Sequence, residues 1–281
     1  MEFFSILILA MVQGIAELLP VSSSAHVIVA EKLMGLDPTS PQMTMILVML
    51  HTGTMFAVIA YYWKSWRETY FASAQQFRAN GANLAIATIA TGVVGFGLLH
   101  IIKHFFVANP TTFEIEHLFG NAKLMATALA SAGVLIIVSS RMKDRGDNEV
   151  NTRSALFIGA VQGLCLPFRG FSRSGATIST GLALGVNRRR AEQFSFALAV
   201  VLTPAVIVKE AYRLYQVEAA SAGSDIAVLL HALVPGLLGM VLSFLTGLVA
   251  LRWLSRWLEQ GRWHFFGAYC LFAALVVLWV G

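Results

Sequence analysis

The sequence predicts an all-α integral membrane protein with six transmembrane helices and two re-entrant helical hairpins, arranged as an inverted-topology repeat. Three observations predict this fold: the composition, six long apolar runs, and two copies of an unusual polar stretch inside apolar segments. The chain has 281 residues, of which 57% are hydrophobic and only 12% charged, whereas soluble domains carry about 25% charged residues. Its net charge of +5 comes without a basic tract interleaved with aromatic residues, which excludes a nucleic-acid-binding surface.

Six apolar runs are long enough to cross a bilayer, which takes about 20 helical residues. They are 43–62, 84–102, 121–140, 192–212, 226–251 and 264–280.

Two further apolar stretches, 3–19 and 155–168, are shorter and run into a proline. Each is followed by a polar turn and a second short apolar piece, 24–35 or 174–187. Two short helices joined by a polar turn form a re-entrant hairpin, which is tolerated at membrane depth where it lines a cavity in the protein.

The distribution of lysine and arginine predicts the orientation. If the spans alternate and both hairpins return to the side they left, thirteen basic residues share one face: Lys64, Arg67, Arg78, Arg141, Lys143, Arg145, Arg153, Arg188, Arg189, Arg190, Arg252, Arg256 and Arg262. The opposite face has five: Lys32, Lys103, Lys123, Lys209 and Arg213. The positive-inside rule makes the first face cytoplasmic. Both termini and the first hairpin then face outward, while the second hairpin opens inward.

The two hairpins also resemble each other in sequence. Val12-Gln13-Gly14 matches Val161-Gln162-Gly163, and Ser22-Ser23-Ser24 matches Ser172-Arg173-Ser174. The sequence therefore predicts a first repeat at 1–140, a cytoplasmic loop at 141–153 and a second repeat at 154–281. Inverted repeats place their sites where broken helices of the two halves meet, near the bilayer midplane.

Both polar turns carry groups that suit a phosphate or diphosphate. The serines directly precede a short helix, and a helix start offers free N–H groups and partial positive charge. Arg173 supplies forked donors that match phosphate oxygens, and Gly175 permits close backbone approach. The candidate phosphate donors are Ser22, Ser24, Ser172, Ser174, Gly175 and Thr177. The alternative is that these serines are only helix N-caps.

The first hairpin adds candidates for metal binding and catalysis. Gln13 and Glu17 are four residues apart and share a helix face, so they predict a divalent metal site, Mg²⁺ or Ca²⁺, completed by substrate phosphates. The alternative is a packing carboxylate paired with Arg173. Ser23 and His26 are three residues apart and predict a nucleophile and its base; the alternative is a structural histidine. Whether Ser23 attacks or positions a water is left open.

His51 lies in the apolar run 43–62, within His51-Thr52-Gly53-Thr54. This segment is interpreted as a closely packed helix face of small residues. A place in the lining of the cavity is the alternative.

In its two polar stretches the chain resembles the undecaprenyl-diphosphatase family, also called the bacitracin-resistance proteins. The first family motif is present as Gln13-Gly-Ile-Ala-Glu17-Leu-Leu-Pro-Val-Ser-Ser-Ser-Ala-His26, and the second as Arg169-Gly-Phe-Ser-Arg-Ser-Gly-Ala-Thr177. Glu192-Gln-Phe-Ser-Phe196 also looks like family sequence. The similarity covers nearly the whole chain. One departure is Arg169, where the family commonly has proline.

The resemblance implies a metal-dependent enzyme that removes the terminal phosphate from a C55 polyprenyl diphosphate and so recycles the lipid carrier of the bacterial cell wall. It implies a multi-pass protein of the plasma membrane with its active site facing the outside, and tolerance of bacitracin. By motif position it assigns the family's glutamate to Glu17, the candidate nucleophilic serine to Ser23, the histidine to His26 and the phosphate-binding arginine to Arg173. The supporting donors that it implies are Ser172, Ser174 and Thr177.

A second function stays open at this stage. Inverted repeats with broken helices are typical of transporters, so the same turns suit a transporter or flippase for a lipid phosphate or another anionic substrate. The sequence also leaves open whether the chain forms a homodimer.

Overall fold

The computed structural model describes residues 3–36, 41–105, 121–142, 148–168, 170–220 and 226–280. These residues form ten helices: α1 Phe3–Leu18, α2 Ser23–Leu33, α3 Pro41–Tyr70, α4 Ala74–Phe105, α5 Ala122–Ser140, α6 Thr152–Leu164, α7 Arg173–Ala183, α8 Arg188–Ala220, α9 Ile226–Glu259 and α10 His264–Val280. Lys143, Arg145 and Arg169 lie outside the described residues, as do the side chains of Lys209 and Arg213.

The long helices coincide with the predicted spans. Each of the six apolar runs falls on one helix, α3, α4, α5, α8, α9 or α10. Within the described residues, α3, α4, α5 and α9 are each long and apolar enough to cross a bilayer, and α10 is apolar but shorter. The prediction of an all-α membrane protein is thereby confirmed, while six spans with two re-entrant hairpins remain a prediction.

The four short helices form two broken pairs, α1 with α2 and α6 with α7. Pro20 ends the first member of one pair, because proline lacks an N–H and disfavours helical geometry in the residue before it. The second pair has clear start signals. Asn151 and Ser154 form a reciprocal capping box at α6, and the Ser172 hydroxyl accepts from the Gly175 N–H at the start of α7.

Each pair packs mainly against long helices that lie far away in sequence. Helix α1 packs on α9 and α2 touches α10, whereas α6 packs on α4 and α7 on α5. Helix α3 packs against both α8 and α9. This exchange brings the turns of the two pairs together: the Ser174 hydroxyl donates to the Leu19 carbonyl at 3.3 Å.

Two glycines allow the short helices to approach the long ones closely. A Cβ at Gly14 would meet the carbonyl oxygen of Ser243 in α9 at 2.8 Å, and one at Gly163 would meet that of Thr91 in α4 at 2.8 Å. These glycines are matched positions of the two polar stretches. Close backbone contact through small residues is typical of helix packing in membranes.

The surface of the bundle is rich in large apolar side chains. Phe96, Phe105 and Trp279 are 71%, 79% and 87% exposed. Exposed apolar surface on this scale marks an interaction surface rather than a water-facing one. Between the helices, Leu129, Ile136, Ile178, Phe196 and Leu251 belong to one fully buried cluster. Helices that bury one apolar stripe and expose another are typical of a bundle surrounded by lipid.

Candidate active site

Glu17, at the C-terminal end of α1, is the centre of a hydrogen-bonded cluster. Its Oε2 accepts from the Ser23 hydroxyl at 2.6 Å and from the Gln13 amide at 3.2 Å. Its Oε1 accepts from Nη2 of Arg173 at 3.2 Å. The ion pair joins residues 156 positions apart, so the two turns that the sequence predicts to meet do meet here.

Ser23 is aimed at Glu17 by an unusual turn. Ser22, the residue before it, has φ 67° and ψ 95°, a left-handed conformation that costs a non-glycine residue roughly 1–2 kcal/mol. Strained backbone of this kind persists only where surrounding contacts hold it. This conformation turns the chain between α1 and α2. As a result, the hydroxyl of Ser23, the first residue of α2, reaches Glu17 in the last turn of α1.

His26 supports this turn through hydrogen bonds made by both of its ring nitrogens. Its Nδ1 bonds the Ser22 carbonyl at 2.8 Å, and its Nε2 bonds the Tyr269 hydroxyl at 2.7 Å. A carbonyl can only accept, so Nδ1 carries the proton and Tyr269 donates to Nε2. Both ring nitrogens are therefore engaged, and the predicted hydrogen bond between Ser23 and His26 is not formed among the described residues.

Arg173, the first residue of α7, presents an unsatisfied donor. Its Nη2 pairs with Glu17, but its Nη1 is buried and has no hydrogen-bond partner within the described part of the chain. Buried polar groups are nearly always paired, and an orphan requires an explanation. A bound anion, such as a phosphate, would supply the missing acceptor.

These groups line a cavity of about 120 Å³ between the two turns. Of the predicted phosphate donors, Ser22, Ser24, Ser172 and Ser174 line the cavity, together with Glu17, Ser23 and Arg173. Sequence reasoning missed Cys165, Phe168 and Phe171, which form apolar parts of the wall.

Two predicted donors are turned away from the cavity. The Thr177 side chain is fully buried, and its hydroxyl donates to the Arg173 carbonyl at 2.8 Å and bonds Ser195 at 2.6 Å. The Gly175 N–H is used by Ser172 within the helix start. Thr177 thus connects α7 to α8, so its contribution to the site lies in fixing the helix that carries Arg173.

His51, on α3, also belongs to this cluster. The sequence favoured a helix-packing role for its segment, and a place in the lining of the cavity was the alternative. Its Nε2 lies 3.7 Å from Glu17 Oε2, and its Nδ1 bonds the Leu47 carbonyl at 2.8 Å. The signal available in the sequence is a histidine near the middle of an apolar span. What the sequence lacks is the packing that brings α3 against α1.

The donor set suits a divalent ion only in part. Among the described residues, no group of three or more histidine, cysteine, aspartate or glutamate side chains forms a protein-only cage. One carboxylate with substrate phosphates and water is, however, the usual Mg²⁺ environment, and Glu17 fits it. Gln13 turns its amide nitrogen towards Glu17, so coordination through its oxygen requires the amide to turn over.

Comparisons with known proteins show sequence similarity over nearly the full length of the chain. The chain is 62% identical to undecaprenyl-diphosphatase 2 of Acinetobacter baylyi, over 99% of this chain and 98% of that protein. It is 31% identical to the undecaprenyl-diphosphatase of Parabacteroides distasonis, over 99% and 98% of the two chains. It is 32% identical to that of Desulfosudis oleivorans, over 100% and 99%. Residues 6–276 match the family described as bacitracin resistance protein BacA, and the chain therefore belongs to that family.

Proposed function

We propose that this protein is an undecaprenyl-diphosphatase, which hydrolyses a C55 polyprenyl diphosphate to the monophosphate and inorganic phosphate. One observation carries the proposal: a hydroxyl, a carboxylate and a guanidinium with a buried, unpaired Nη1 donor converge in one cavity from two separate hairpins. The family and the full-length similarity to proteins named undecaprenyl-diphosphatase agree with it.

Substrate binding is assigned chiefly to Arg173 in the second hairpin, with serines of both hairpins as further donors. Nη1 of Arg173 is the free donor for a phosphate oxygen, and the α7 start adds partial positive charge. Ser22, Ser24 and Ser172 line the same cavity and are placed as further donors. Because these donors are fixed in place by the surrounding helices, they stabilise the charge of the transferring phosphoryl group more strongly than solvent water would.

The reaction is assigned to Ser23 and Glu17. The Ser23 oxygen attacks the terminal phosphorus, its proton passes to Glu17 Oε2, and the bond between that phosphorus and the bridging oxygen breaks. The lipid leaves as the monophosphate. A water then attacks the phosphoserine, and the bond between phosphorus and the Ser23 oxygen breaks while Glu17 returns its proton to that oxygen. This releases inorganic phosphate, which keeps both protons of the water, and restores the hydroxyl and the carboxylate. The 2.6 Å bond between Ser23 and Glu17 is short enough for direct proton transfer.

A divalent ion held at Glu17, Mg²⁺ or Ca²⁺ in the first instance, would add positive charge beside the phosphate oxygens. Gln13 is its second proposed ligand. Without a bound ion, the same two residues orient the carboxylate: the Gln13 amide and the Ser23 hydroxyl both donate to Oε2.

The membrane arrangement is part of the proposal. Six spans and two re-entrant hairpins form two inverted repeats, 1–140 and 154–281, joined by a cytoplasmic loop at 141–153. The reciprocal packing of α1 on α9 and of α6 on α4 supports a pseudo-two-fold relation. The chain is placed in the bacterial plasma membrane, and the site opens to the outside through the first hairpin.

Phosphate release from a polyprenyl diphosphate by the purified protein in detergent tests the function. Arg173→Ala is expected to lower the rate by at least about 100-fold, the usual effect of removing a preorganised charge stabiliser. Arg252→Ala, at an exposed position of α9, is the matched control and should retain the wild-type rate. Near-normal release by the Arg173 variant would refute the site. A chelator should stop release, and added Mg²⁺ should restore it.

A second candidate function is return of the lipid phosphate across the membrane, and a second cavity favours it. This cavity of about 310 Å³ is lined by Lys64, Arg189 and the buried carboxylate of Glu192. Glu192 Oε1 accepts from Tyr62 and Ser255, both at 2.5 Å. Along α3, Lys64 is thirteen residues beyond His51, which is about 20 Å, so the two cavities lie at different depths.

Reconstituted vesicles separate the two functions. Transport needs no nucleophile, so Ser23→Ala should abolish phosphate release and leave any movement of lipid phosphate intact. If wild-type vesicles release phosphate from diphosphate added outside but move no monophosphate, the transport candidate is excluded.

A further inference from the structure

The tautomer of His51 is determined by its own helix. Its Nδ1 lies 2.8 Å from the carbonyl oxygen of Leu47, one turn earlier on α3. Because that oxygen can only accept, Nδ1 must carry a hydrogen. A neutral ring then presents the lone pair of Nε2 outward from the helix.

This lone pair faces another acceptor. Nε2 lies 3.7 Å from Oε2 of Glu17. This carboxylate oxygen already accepts hydrogen bonds from the Ser23 hydroxyl and the Gln13 amide. Two acceptors that face each other repel unless a positive charge lies between them. The side chains of His51 and Glu17 are 39% and 18% exposed, so the gap between them is open to solutes. The separation suits two ligands of one ion, with bonds of about 2.0–2.2 Å each.

We propose that Nε2 of His51 is a ligand of the divalent ion held by Glu17; this inference rests on the metal-dependent function proposed above. The hydrogen bond from Nδ1 to a backbone carbonyl is the orienting contact that metal-bound histidines usually make. The ion would then have a nitrogen ligand from α3 and an oxygen ligand from α1. Helix packing supports this geometry, because α9 packs against both α1 and α3, and α3 also packs on α1. Next to His51, the Ser243 hydroxyl of α9 donates to the Leu50 carbonyl of α3 at 2.9 Å.

A nitrogen ligand has a chemical consequence. Imidazole suits Fe²⁺, Ni²⁺, Cu²⁺ and Zn²⁺, whereas carboxylate, carbonyl and water oxygens suit Mg²⁺, Ca²⁺ and Mn²⁺, and Co²⁺ binds sites with nitrogen ligands more tightly than Mn²⁺ does. The structure thus assigns His51 a part in metal selectivity: the site should bind borderline ions more tightly than an oxygen-only site would, while it still accepts Mg²⁺.

Binding of Co²⁺ and of Mg²⁺ to the full-length protein in detergent, without substrate, tests the proposal. His51→Gln removes the nitrogen and keeps a polar side chain of similar reach. Its Co²⁺ affinity should fall by at least about 10-fold, with a much smaller change for Mg²⁺. His264→Gln, at an exposed position in α10, is the matched control and should leave both affinities unchanged. Equal Co²⁺ affinity in wild type and His51→Gln would overturn the proposal.

A spectroscopic measurement needs no variant. Electron spin echo spectroscopy of Mn²⁺ bound to the wild-type protein should show coupling to an imidazole nitrogen, and its absence would equally overturn the proposal. Failure of the broader function is visible separately. If wild-type phosphate release survives complete chelation, metal dependence is wrong. If release needs metal while His51→Gln binds Co²⁺ normally, only the assignment of His51 is wrong, and the ring serves instead as a protonated partner of Glu17.

Discussion

At the scale of single residues, the proposed acceptor of the Ser23 proton is the group that already accepts a hydrogen bond from its hydroxyl. His26 has both ring nitrogens in hydrogen bonds, to Ser22 and to Tyr269, and its ring stacks on Tyr269 with centroids 5.6 Å apart. Glu17 Oε2 lies 2.6 Å from the Ser23 hydroxyl. In the proposed mechanism the carboxylate is therefore the base, and the histidine is a positioning residue that supports the left-handed Ser22.

The two roles predict different losses of activity. Glu17→Gln keeps the shape and removes the base, so kcat should fall by about 10²- to 10⁴-fold. His26→Gln weakens support of the strained turn, and a loss of about 1.4 kcal/mol corresponds to roughly a tenfold lower kcat. Steady-state phosphate release from both variants checks this, with Tyr269→Phe expected to follow His26→Gln. A larger loss in His26→Gln than in Glu17→Gln would return the base to the histidine.

Sequence reasoning identified most of the cluster because its members sit in two short motifs. Glu17, Ser23 and Arg173 carry chemistry that an apolar segment would not otherwise retain. The bond of Thr177 to Ser195 could not be predicted, because Ser195 comes from another helix and local spacing gives no information about that contact. His51 was undervalued for the same reason: its contact with Glu17 depends on how α3 packs against α1. The assignment of Thr177 as a donor to substrate stays a prediction.

At the scale of helices, two close contacts determine where the two turns meet. Helix α1 packs on α9, and α6 packs on α4. Gly14 and Gly163 stand at these contacts, and neither has room for a methyl group. The apolar runs predicted the helices themselves, but not all of their ends. Helix α3 continues to Tyr70, beyond the predicted end at 62, because Trp63 to Arg67 are polar or amphipathic yet still compatible with a helix outside the apolar core.

Alanine at these glycines should displace the hairpins. Gly14→Ala forces a Cβ against the α9 backbone, and overpacking of this kind typically costs about 1–3 kcal/mol. Gly97→Ala on α4 is the matched control, because nothing lies within 4 Å of the added Cβ and alanine favours a helix by about 0.5–1 kcal/mol. Thermal unfolding in detergent should show a lower Tm for Gly14→Ala and Gly163→Ala and an unchanged or higher Tm for Gly97→Ala. Equal Tm values for all three would contradict the close packing.

At the scale of the whole molecule, the site needs both halves of the chain. Arg173 of the second half satisfies Glu17 of the first, and each half supplies a broken pair that packs on long helices of the other. Neither half could form the cavity alone. The two polar stretches therefore carry complementary groups: one carries the carboxylate and the proposed nucleophile, and the other carries the cation.

The proposed orientation makes opposite predictions for two exposed positions. Lys123, near the start of α5, should face the outside, and Ala72, in the turn between α3 and α4, should face the cytoplasm; both are exposed. In a variant with Cys165 and Cys270 replaced by alanine, Lys123→Cys should react with a membrane-impermeant maleimide in intact spheroplasts, while Ala72→Cys should react only after permeabilisation. Phosphate release by the cysteine-free parent confirms that it is folded. Labelling in the reverse order would turn the first hairpin, and with it Glu17 and Ser23, towards the cytoplasm, because the number of spans between these positions and the hairpin determines which side it opens to.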